Sequence, residues 1–313
     1  MTTAGSTIGE IGTVEARDNG EGSDSQTDDG QMDNNRADEH PASSVIAHRG
    51  FAGVYPENTV GAVRLSADSA DMIEIDIMPT AEGDVVVFHD ERLSSRDGGE
   101  RGLTDTSGVV WETSTEEVLT AEVLESGETV PLLRDVMDAI PTDVGVNIEF
   151  KNPGSFDLRF ADALCKEELE RQKDIWRPFT EDALTIASEY EHTILVSSFY
   201  EAALATVRAF DPSIPVAFLF WDSIEEGLTV TRRYDCEAVH PPYNMIQDTP
   251  FFEDEYYTKG PFADVDLVAI AHDENRAVNA FTLDTWYQAE QLTAAGVDGL
   301  IANYPSLLTF GSR

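Results

Sequence analysis

Residues 45–90 hold three strand-like stretches in which apolar residues are followed by charged ones: VIAHRG (45–50), MIEIDIMP (72–79) and VVVFHD (85–90). Short runs rich in β-branched residues predict buried strands. Burying imidazoles, carboxylates and a guanidinium costs free energy unless these groups are paired or bind a ligand. The three runs therefore predict buried strands whose ends carry a functional site.

The second and third runs predict an antiparallel hairpin. Glu74 and Asp76 are two residues apart, so on a strand both side chains point to one face, about 6–7 Å apart. Such a pair of hard oxygen ligands suits Mg²⁺ or Ca²⁺. The few residues between the two runs are too short for a parallel crossover, which needs roughly a dozen. A hairpin would bring His89 back beside Glu74 and Asp76.

The rest of the chain alternates between strand-like and helix-like stretches. Strands are predicted at 45–48, 72–77, 144–150, 193–198, 215–220, 238–241, 277–283 and 299–302, besides the return arm of the hairpin. Amphipathic or charged stretches lie at 57–70, 132–139, 157–172, 200–210, 222–233, 263–276 and 285–295. This alternation predicts an α/β fold with a parallel sheet. The length after residue 42 fits one (β/α)8 barrel of roughly 250 residues as well as two smaller domains.

Seven strings, taken in order and spacing, resemble the glycerophosphodiester phosphodiesterase family. One triplet alone occurs by chance, whereas an ordered set across residues 44–307 is specific. The strings are HRG (48–50), PENT (56–59), EID (74–76), HD (89–90), IEFK (148–151), SSF (197–199) and GVDGLI (296–301). The resemblance implies a single (β/α)8 TIM barrel over residues 43–313, with an antiparallel hairpin after its second strand.

The resemblance also implies metal-dependent hydrolysis of a glycerophosphodiester to a glycerol phosphate and an alcohol. In the family, the positions matching Glu74, Asp76 and Glu149 hold a divalent cation, expected here to be Mg²⁺ or Ca²⁺. The positions matching His48 and His89 serve as general acid and base. Imidazole titrates near 6.5, so both protonation states are accessible at neutral pH. The sequence leaves open which histidine is the acid.

The remaining site residues are expected to bind the substrate. Arg49 and Lys151 match positions that contact the phosphate, and Glu57 belongs to a motif on the same rim. Arginine offers a planar fork that can bind two phosphate oxygens at once. Phe281 matches a position that lines the pocket.

Two strings depart from the family's pattern. The family commonly shows Trp-Thr-Val-Asn near the last strands, and this chain has FTLD (281–284). Phenylalanine keeps an apolar wall but lacks the indole donor, and Asp284 replaces a neutral amide with a charge. The closing Asp of the family's Ile-Thr-Asp string is Asn303 here. These changes leave the alcohol moiety of the substrate open.

Two other functions are compatible with the same residues. A phospholipase of the same superfamily, acting on a lysolipid or ether lipid, would need an exposed apolar surface around the site. Val54, Tyr55 and residues 250–252 are candidates for it. A non-catalytic barrel that binds phosphodiesters would be favoured if a catalytic position were missing, and every position is present. The expected partner is a small phosphodiester, and the oligomeric state is left open.

Residues 1–42 differ from the rest in composition. They contain ten acidic residues, two arginines and almost no large apolar side chain. Such a segment buries too little apolar surface to offset the entropy that ordering costs, so we predict a disordered acidic tail. It has no apolar signal-peptide region, and no run approaches the roughly 18 apolar residues of a membrane span. A cytoplasmic protein without membrane insertion is expected.

The charge balance predicts an adaptation to a salt-rich solvent. The net charge is −40, and the tail, with ten acids and two arginines, supplies −8 of it. Salt near 1 M shortens the Debye length to about 3 Å and screens self-repulsion, so acidity spread over the whole chain predicts a halophilic enzyme. Nucleic-acid binding is not expected, because it requires basic patches.

Cys165 and Cys236 lack zinc or CxxC spacing and are predicted to be free thiols.

Overall fold

The computed structural model describes residues 43–94, 102–254, 258 and 262–309. The predicted tail, residues 1–42, lies outside the described residues. The strands are β1 (Ser44–Ala47), β2 (Met72–Pro79), β3 (Val85–Val87), β4 (Gly145–Phe150), β5 (Ile194–Ser198), β6 (Val216–Leu219), β7 (Ala238–His240), β8 (Ala277–Leu283) and β9 (Gly299–Ala302).

Eight of these strands form a closed parallel barrel in the order β1-β2-β4-β5-β6-β7-β8-β9. The barrel closes because Ile46 of β1 pairs with Met72 of β2 on one side and with Ile301 of β9 on the other. β3 runs antiparallel to β2, with Ile77 opposite Val87. The predicted (β/α)8 barrel and its hairpin are confirmed. All eight parallel strands direct their carboxyl ends to one face, where barrel enzymes hold their sites.

Helices lie between the strands along the chain, and most of them pack against the outer face of the barrel. They are α1 (Val60–Ser66), α2 (Thr115–Val118), α3 (Leu133–Ala139), α4 (Lys166–Ala187), α5 (Glu201–Phe210), α6 (Ile224–Arg233), α7 (Leu267–Asp273) and α8 (Trp286–Ala294). α1 begins after Thr59, whose hydroxyl accepts the N–H of Ala62 at 3.1 Å, as an N-cap does. Within the described ranges, no helix is both long and apolar enough to cross a bilayer.

One helix prediction is wrong in its bounds. The stretch 157–172 was expected to be helical, but α4 begins only at Lys166 and continues to Ala187. Residues 151–165 form an irregular loop instead. The side-chain oxygen of Asn152 accepts two backbone N–H groups of the following turn, each at 2.8 Å. Further along this loop, the backbone N–H groups of Ala161 and Ala163 donate to distant segments, each at 3.0 Å. They are therefore not available for helical hydrogen bonds, and the charged pattern alone could not show this.

A small second core lies beside the barrel, among the described residues between 88 and 132. Met78 and Val86, on the outer face of the hairpin, pack into it, whereas Ile77 and Val87 face the barrel core. The other buried members are Phe88, Leu93, Leu103, Val110, Val118, Ala121, Val123 and Val130. Alternate strand residues thus serve two cores, and this packing anchors the chain that follows β3.

Candidate active site

A cavity of about 530 Å³ opens at the carboxyl ends of the barrel strands. Seven of the nine predicted site residues line it: His48, Arg49, Glu74, His89, Glu149, Lys151 and Phe281. The other two, Glu57 and Asp76, are buried and form ion pairs with Arg49. The structure therefore brings all nine residues together, although they come from distant parts of the chain.

Three buried carboxylates meet where β2 and β4 run side by side. Glu74 and Asp76 lie on one face of β2, and the parallel register places Asp76 beside Glu149 of β4. One oxygen from each of the three lies within 4.8 Å of the others. Glu74 Oε1 and Asp76 Oδ1 are buried and accept no hydrogen bond from any described residue. Oxygen ligands arranged in this way could hold a hard divalent cation.

Burial and mutual repulsion shift the carboxyl pKa values. Burial, together with the charges of Asp76 and Glu149, raises the pKa of Glu74 well above its usual range. Burial also raises the pKa of Glu149, although Lys151 opposes this. Burial acts in the same direction on Asp76, but Arg49 and its other cationic neighbours outweigh it and hold the pKa of that carboxyl below its usual range. A bound cation would relieve the repulsion that Glu74 and Glu149 experience.

The HRG turn directs Arg49 toward the carboxylates. Arg49 and Gly50 have left-handed φ angles of 52° and 71°, and a Cβ at Gly50 would lie 3.0 Å from a side chain of α1, so glycine is favoured there. The Arg49 N–H donates to Glu74 Oε2 at 2.9 Å. Its guanidinium donates to Glu57 Oε1 at 2.7 Å, and its Nε lies 3.2 Å from Asp76 Oδ2. Glu57 and Asp76 thus orient the guanidinium.

Lys151 is the second cation at the cavity. Its Nζ donates to Glu149 Oε1 at 2.8 Å and lies 3.7 Å from Asp76 Oδ1. The same atom lies 5.6 Å from the centroid of the Phe199 ring. Burial by itself would lower the pKa of Lys151, but the neighbouring carboxylates outweigh it and raise that pKa. The ammonium group therefore stays charged.

Two neutral imidazoles line the same cavity. His89 Nδ1 lies 2.6 Å from Asp90 Oδ1, and His48 Nδ1 lies 2.6 Å from Asn303 Oδ1. Burial and then the charge of Arg49 lower the pKa of His48 to about 4. Burial and the nearby cations lower the pKa of His89 well below its usual range. No described residue forms a hydrogen bond with Nε2 of either ring, so each has one nitrogen atom available to a substrate.

An aromatic wall forms part of the cavity. Phe160, from the loop 151–165, stacks on Phe199 with ring centroids 4.9 Å apart. Phe199 also contacts Trp221 at 5.8 Å and Phe281 at 5.9 Å, in edge-on geometry. Of these four residues the sequence predicts a site role only for Phe281, although Phe199 belongs to the SSF string. The wall could not be predicted, because the positions of the loop and of the ends of β5 and β6 depend on tertiary packing.

Comparison with protein families decides the identity. The model of the glycerophosphoryl diester phosphodiesterase family matches residues 48–307. The chain belongs to this family. The resemblance of the ordered strings is confirmed, and the chain is a phosphodiesterase, which leaves the non-catalytic barrel without support.

Known relatives cover most of this phosphodiesterase. A glycerophosphodiester phosphodiesterase of Bacillus altitudinis is 27% identical over 272 residues, which cover 84% of this chain and 95% of the relative. One from Caldanaerobacter subterraneus is 26% identical over 273 residues, with 84% and 95% covered. A phosphodiesterase of Oleispira antarctica, solved with the product sn-glycerol-3-phosphate, superposes with a TM-score of 0.65 at 24% identity, covering 86% of this chain and 96% of that one. This last likeness shows the shared fold.

Proposed function

We propose that this phosphodiesterase hydrolyses a glycerophosphodiester to a glycerol phosphate and an alcohol, using a divalent cation and two histidines. One observation carries the proposal. Three buried carboxylates, two of them with oxygens that no described residue hydrogen-bonds, form a cluster. Two of the three, Glu74 and Glu149, line the same cavity as two neutral imidazoles. A structural role does not account for this cluster, because burying it without a ligand costs free energy.

Each residue has a distinct task in this proposal. Glu74, Asp76 and Glu149 would hold Mg²⁺ or Ca²⁺, and the bound cation would supply Lewis-acid polarisation of a phosphoryl oxygen. Arg49, held by Glu57, and Lys151 bind the other phosphate oxygens through charge-assisted hydrogen bonds. These contacts neutralise the phosphate and orient it in the cavity.

The two imidazoles carry the protons. One accepts, at Nε2, the proton of the hydroxyl or water whose oxygen attacks phosphorus. The other donates a proton to the alcohol oxygen as its bond to phosphorus breaks. Burial and nearby cations keep both rings neutral in the free site. A phosphate anion bound beside them raises the pKa of an imidazole, so that one ring can carry the proton it must donate.

The test is alcohol release from a panel of glycerophosphodiesters in molar KCl, with Mg²⁺, Ca²⁺ or EDTA. Turnover is expected with at least one cation and is expected to disappear in EDTA, because the carboxylate cluster then holds no Lewis acid. The ratio of rates with the two cations identifies the preferred metal. Turnover that is equal in EDTA and in metal would contradict the role given to the three carboxylates.

A second candidate substrate is a lysolipid, and the aromatic wall is the observation that favours it. Phe160, Phe199, Trp221 and Phe281 offer apolar contact to the alcohol moiety. The predicted apolar surface around the site receives less support. Val54 is half exposed, but Phe251 and Phe252 are partly buried and pack against the core. Comparing kcat/KM for glycerophosphocholine and lysophosphatidylcholine separates the two. The first proposal expects the water-soluble diester to be preferred.

We also propose that the enzyme works in a salt-rich cytoplasm. Several described arginines are engaged in surface ion pairs, among them Arg134–Glu189, Arg171–Asp157, Arg208–Glu237 and Arg232–Glu274. With 60 acidic and 20 basic residues, such pairs leave most acidic charges uncompensated. Both cysteines are free thiols, which is compatible with a reducing compartment.

Raising KCl from about 0.1 M to about 2 M is expected to raise the melting temperature by roughly 10 °C, because screening removes self-repulsion. That shift corresponds to about 5 kcal/mol for a domain of this size. Thermal melts followed by circular dichroism measure it. A variant without residues 1–40 is the control and is expected to respond similarly and turn over at the same rate, because most of the charge lies outside the tail. Full stability at low salt in both proteins would contradict the proposal.

A further inference from the structure

His48 begins a chain of three hydrogen-bonded side chains that leads away from the cavity. Its Nδ1 lies 2.6 Å from Oδ1 of Asn303, and Nδ2 of Asn303 donates to Oδ1 of Asp284 at 2.8 Å. His48 lines the cavity, whereas Asn303 and Asp284 are not among the described residues that line it. The two outer residues are therefore linked to the cavity through the imidazole.

Barrel closure holds these three residues in fixed positions. Each stands directly after one of three adjacent strands, β1, β9 and β8. The His48 N–H donates to the carbonyl of Ala302 at 3.0 Å, and the Asn303 N–H donates to the carbonyl of Leu283 at 2.9 Å. The sheet hydrogen bonds thus continue one residue beyond the strands. The side-chain contacts rest on this rigid backbone rather than on a loose loop.

The direction of these hydrogen bonds follows from Asp284, the last of the three side chains. A carboxylate only accepts, so the contact with Asp284 requires the NH₂ group of Asn303 to point toward it. The amide oxygen of Asn303 must then face His48, and an amide oxygen also only accepts. Nδ1 of His48 is therefore the donor in the 2.6 Å contact. In a neutral imidazole, the other nitrogen, Nε2, then carries a lone pair.

We infer that Asn303 and Asp284 are positioning residues, which hold His48 in the Nδ1–H tautomer and present the Nε2 lone pair to the cavity. Asp284 fixes the orientation of the amide, and the amide fixes the ring. The negative charge stays one residue away from the imidazole, whereas His89 has the carboxylate of Asp90 directly against its ring, at 2.6 Å. The inference rests on the proposed role of His48 in proton transfer.

Long-range ¹H–¹⁵N spectra of the imidazoles test the tautomer directly, with the His48 signals assigned by their loss in His48→Gln. The Nδ1–H pattern is expected in the wild type. In Asp284→Ala the amide is free to turn, so a mixture of tautomers and a fall in kcat of roughly 10-fold to 100-fold are expected, as for other partners that orient a functional histidine. KM is expected to stay unchanged, because neither residue is among the described residues that line the cavity.

Two further variants separate positioning from a merely structural role. Asp284→Asn keeps an oxygen acceptor, and the exchange variant Asn303→Asp/Asp284→Asn keeps both an acceptor for Nδ1–H and a donor behind it. Both are expected to retain the Nδ1–H pattern and to recover kcat to within a few fold. An Nε2–H pattern in the wild type, or an unchanged spectrum and kcat in Asp284→Ala, would overturn the inference. The spectra need no turnover, so they remain informative even if no glycerophosphodiester is hydrolysed.

Discussion

Replacing either His48 or His89 with alanine is expected to lower kcat by roughly 10²-fold to 10⁴-fold, the usual contribution of one general acid or base. This loss corresponds to about 3–5 kcal/mol of transition-state stabilisation. Both rings line the cavity, and each uses Nδ1 for an orienting contact while Nε2 has no described partner. KM is expected to change little, because Arg49 and Lys151 remain in place to bind the phosphate.

Steady-state hydrolysis of the best diester from the panel measures this loss. His272→Ala is the matched control, because His272 is 40% exposed and pairs with Asp298, outside the residues that line the cavity. Its kcat is expected to equal that of the wild type. The double variant His48→Ala/His89→Ala is expected to lose less than the product of the single losses, because the two groups serve one reaction. If His48→Ala or His89→Ala kept more than about a tenth of the activity, that histidine would not be an acid or base in the mechanism.

Replacing Glu74 with glutamine is expected to abolish the response to metal and to stabilise the metal-free protein at the same time. The variant loses one of three clustered oxygen ligands, and a fall in kcat of about 10³-fold or more is expected because Lewis-acid catalysis supplies several kcal/mol. Metal should stabilise the wild type by about 2.7 kcal/mol at 100 times the dissociation constant. The variant should show little of this gain.

The higher stability expected for Glu74→Gln in EDTA follows from the raised pKa of Glu74. A carboxyl whose pKa is higher in the folded state contributes stability below its unfolded pKa, and this contribution is lost as the pH rises through the folded value. Burial, with the charges of Asp76 and Glu149, raises the pKa of Glu74. At neutral pH the wild type without metal therefore bears a cost that Glu74→Gln does not.

Melting temperatures in EDTA and in saturating metal, recorded at acidic and neutral pH, test both the lost stabilisation by metal and the gained stability without metal. Glu290→Gln is the control, because Glu290 is exposed on α8, and it is expected to keep the metal response of the wild type. If Glu74→Gln were less stable than the wild type in EDTA at neutral pH, the carboxylate would be serving the metal-free fold rather than a cation.

Much of the fold could be read from local pattern. The runs before His48, Glu74 and His89 are short, apolar and rich in β-branched residues, and all three are strands. The hairpin followed from the short connection between β2 and β3. The helix expected at 157–172 begins only at Lys166, because backbone N–H groups in the preceding loop bond to distant segments, which periodicity does not reveal.

The contact of Asp284 with Asn303 is visible only in the structure. In the sequence, Asp284 is a charge at a position where the family has a neutral amide. In the fold it accepts a hydrogen bond from Asn303 and is not among the described residues that line the cavity. Two apparently separate departures in the sequence are thus one contact in the folded protein.

By itself, the sequence determined the strands, the residue types at their ends and the overall charge, because these depend on neighbours along the chain. Only the tertiary structure decided which groups meet. Closure of the barrel between β1 and β9 brings His48 to Asn303, 255 residues away, and packing of the loop 151–165 sets Phe160 against Phe199. Such contacts depend on how distant segments fold together, so no local pattern contains them.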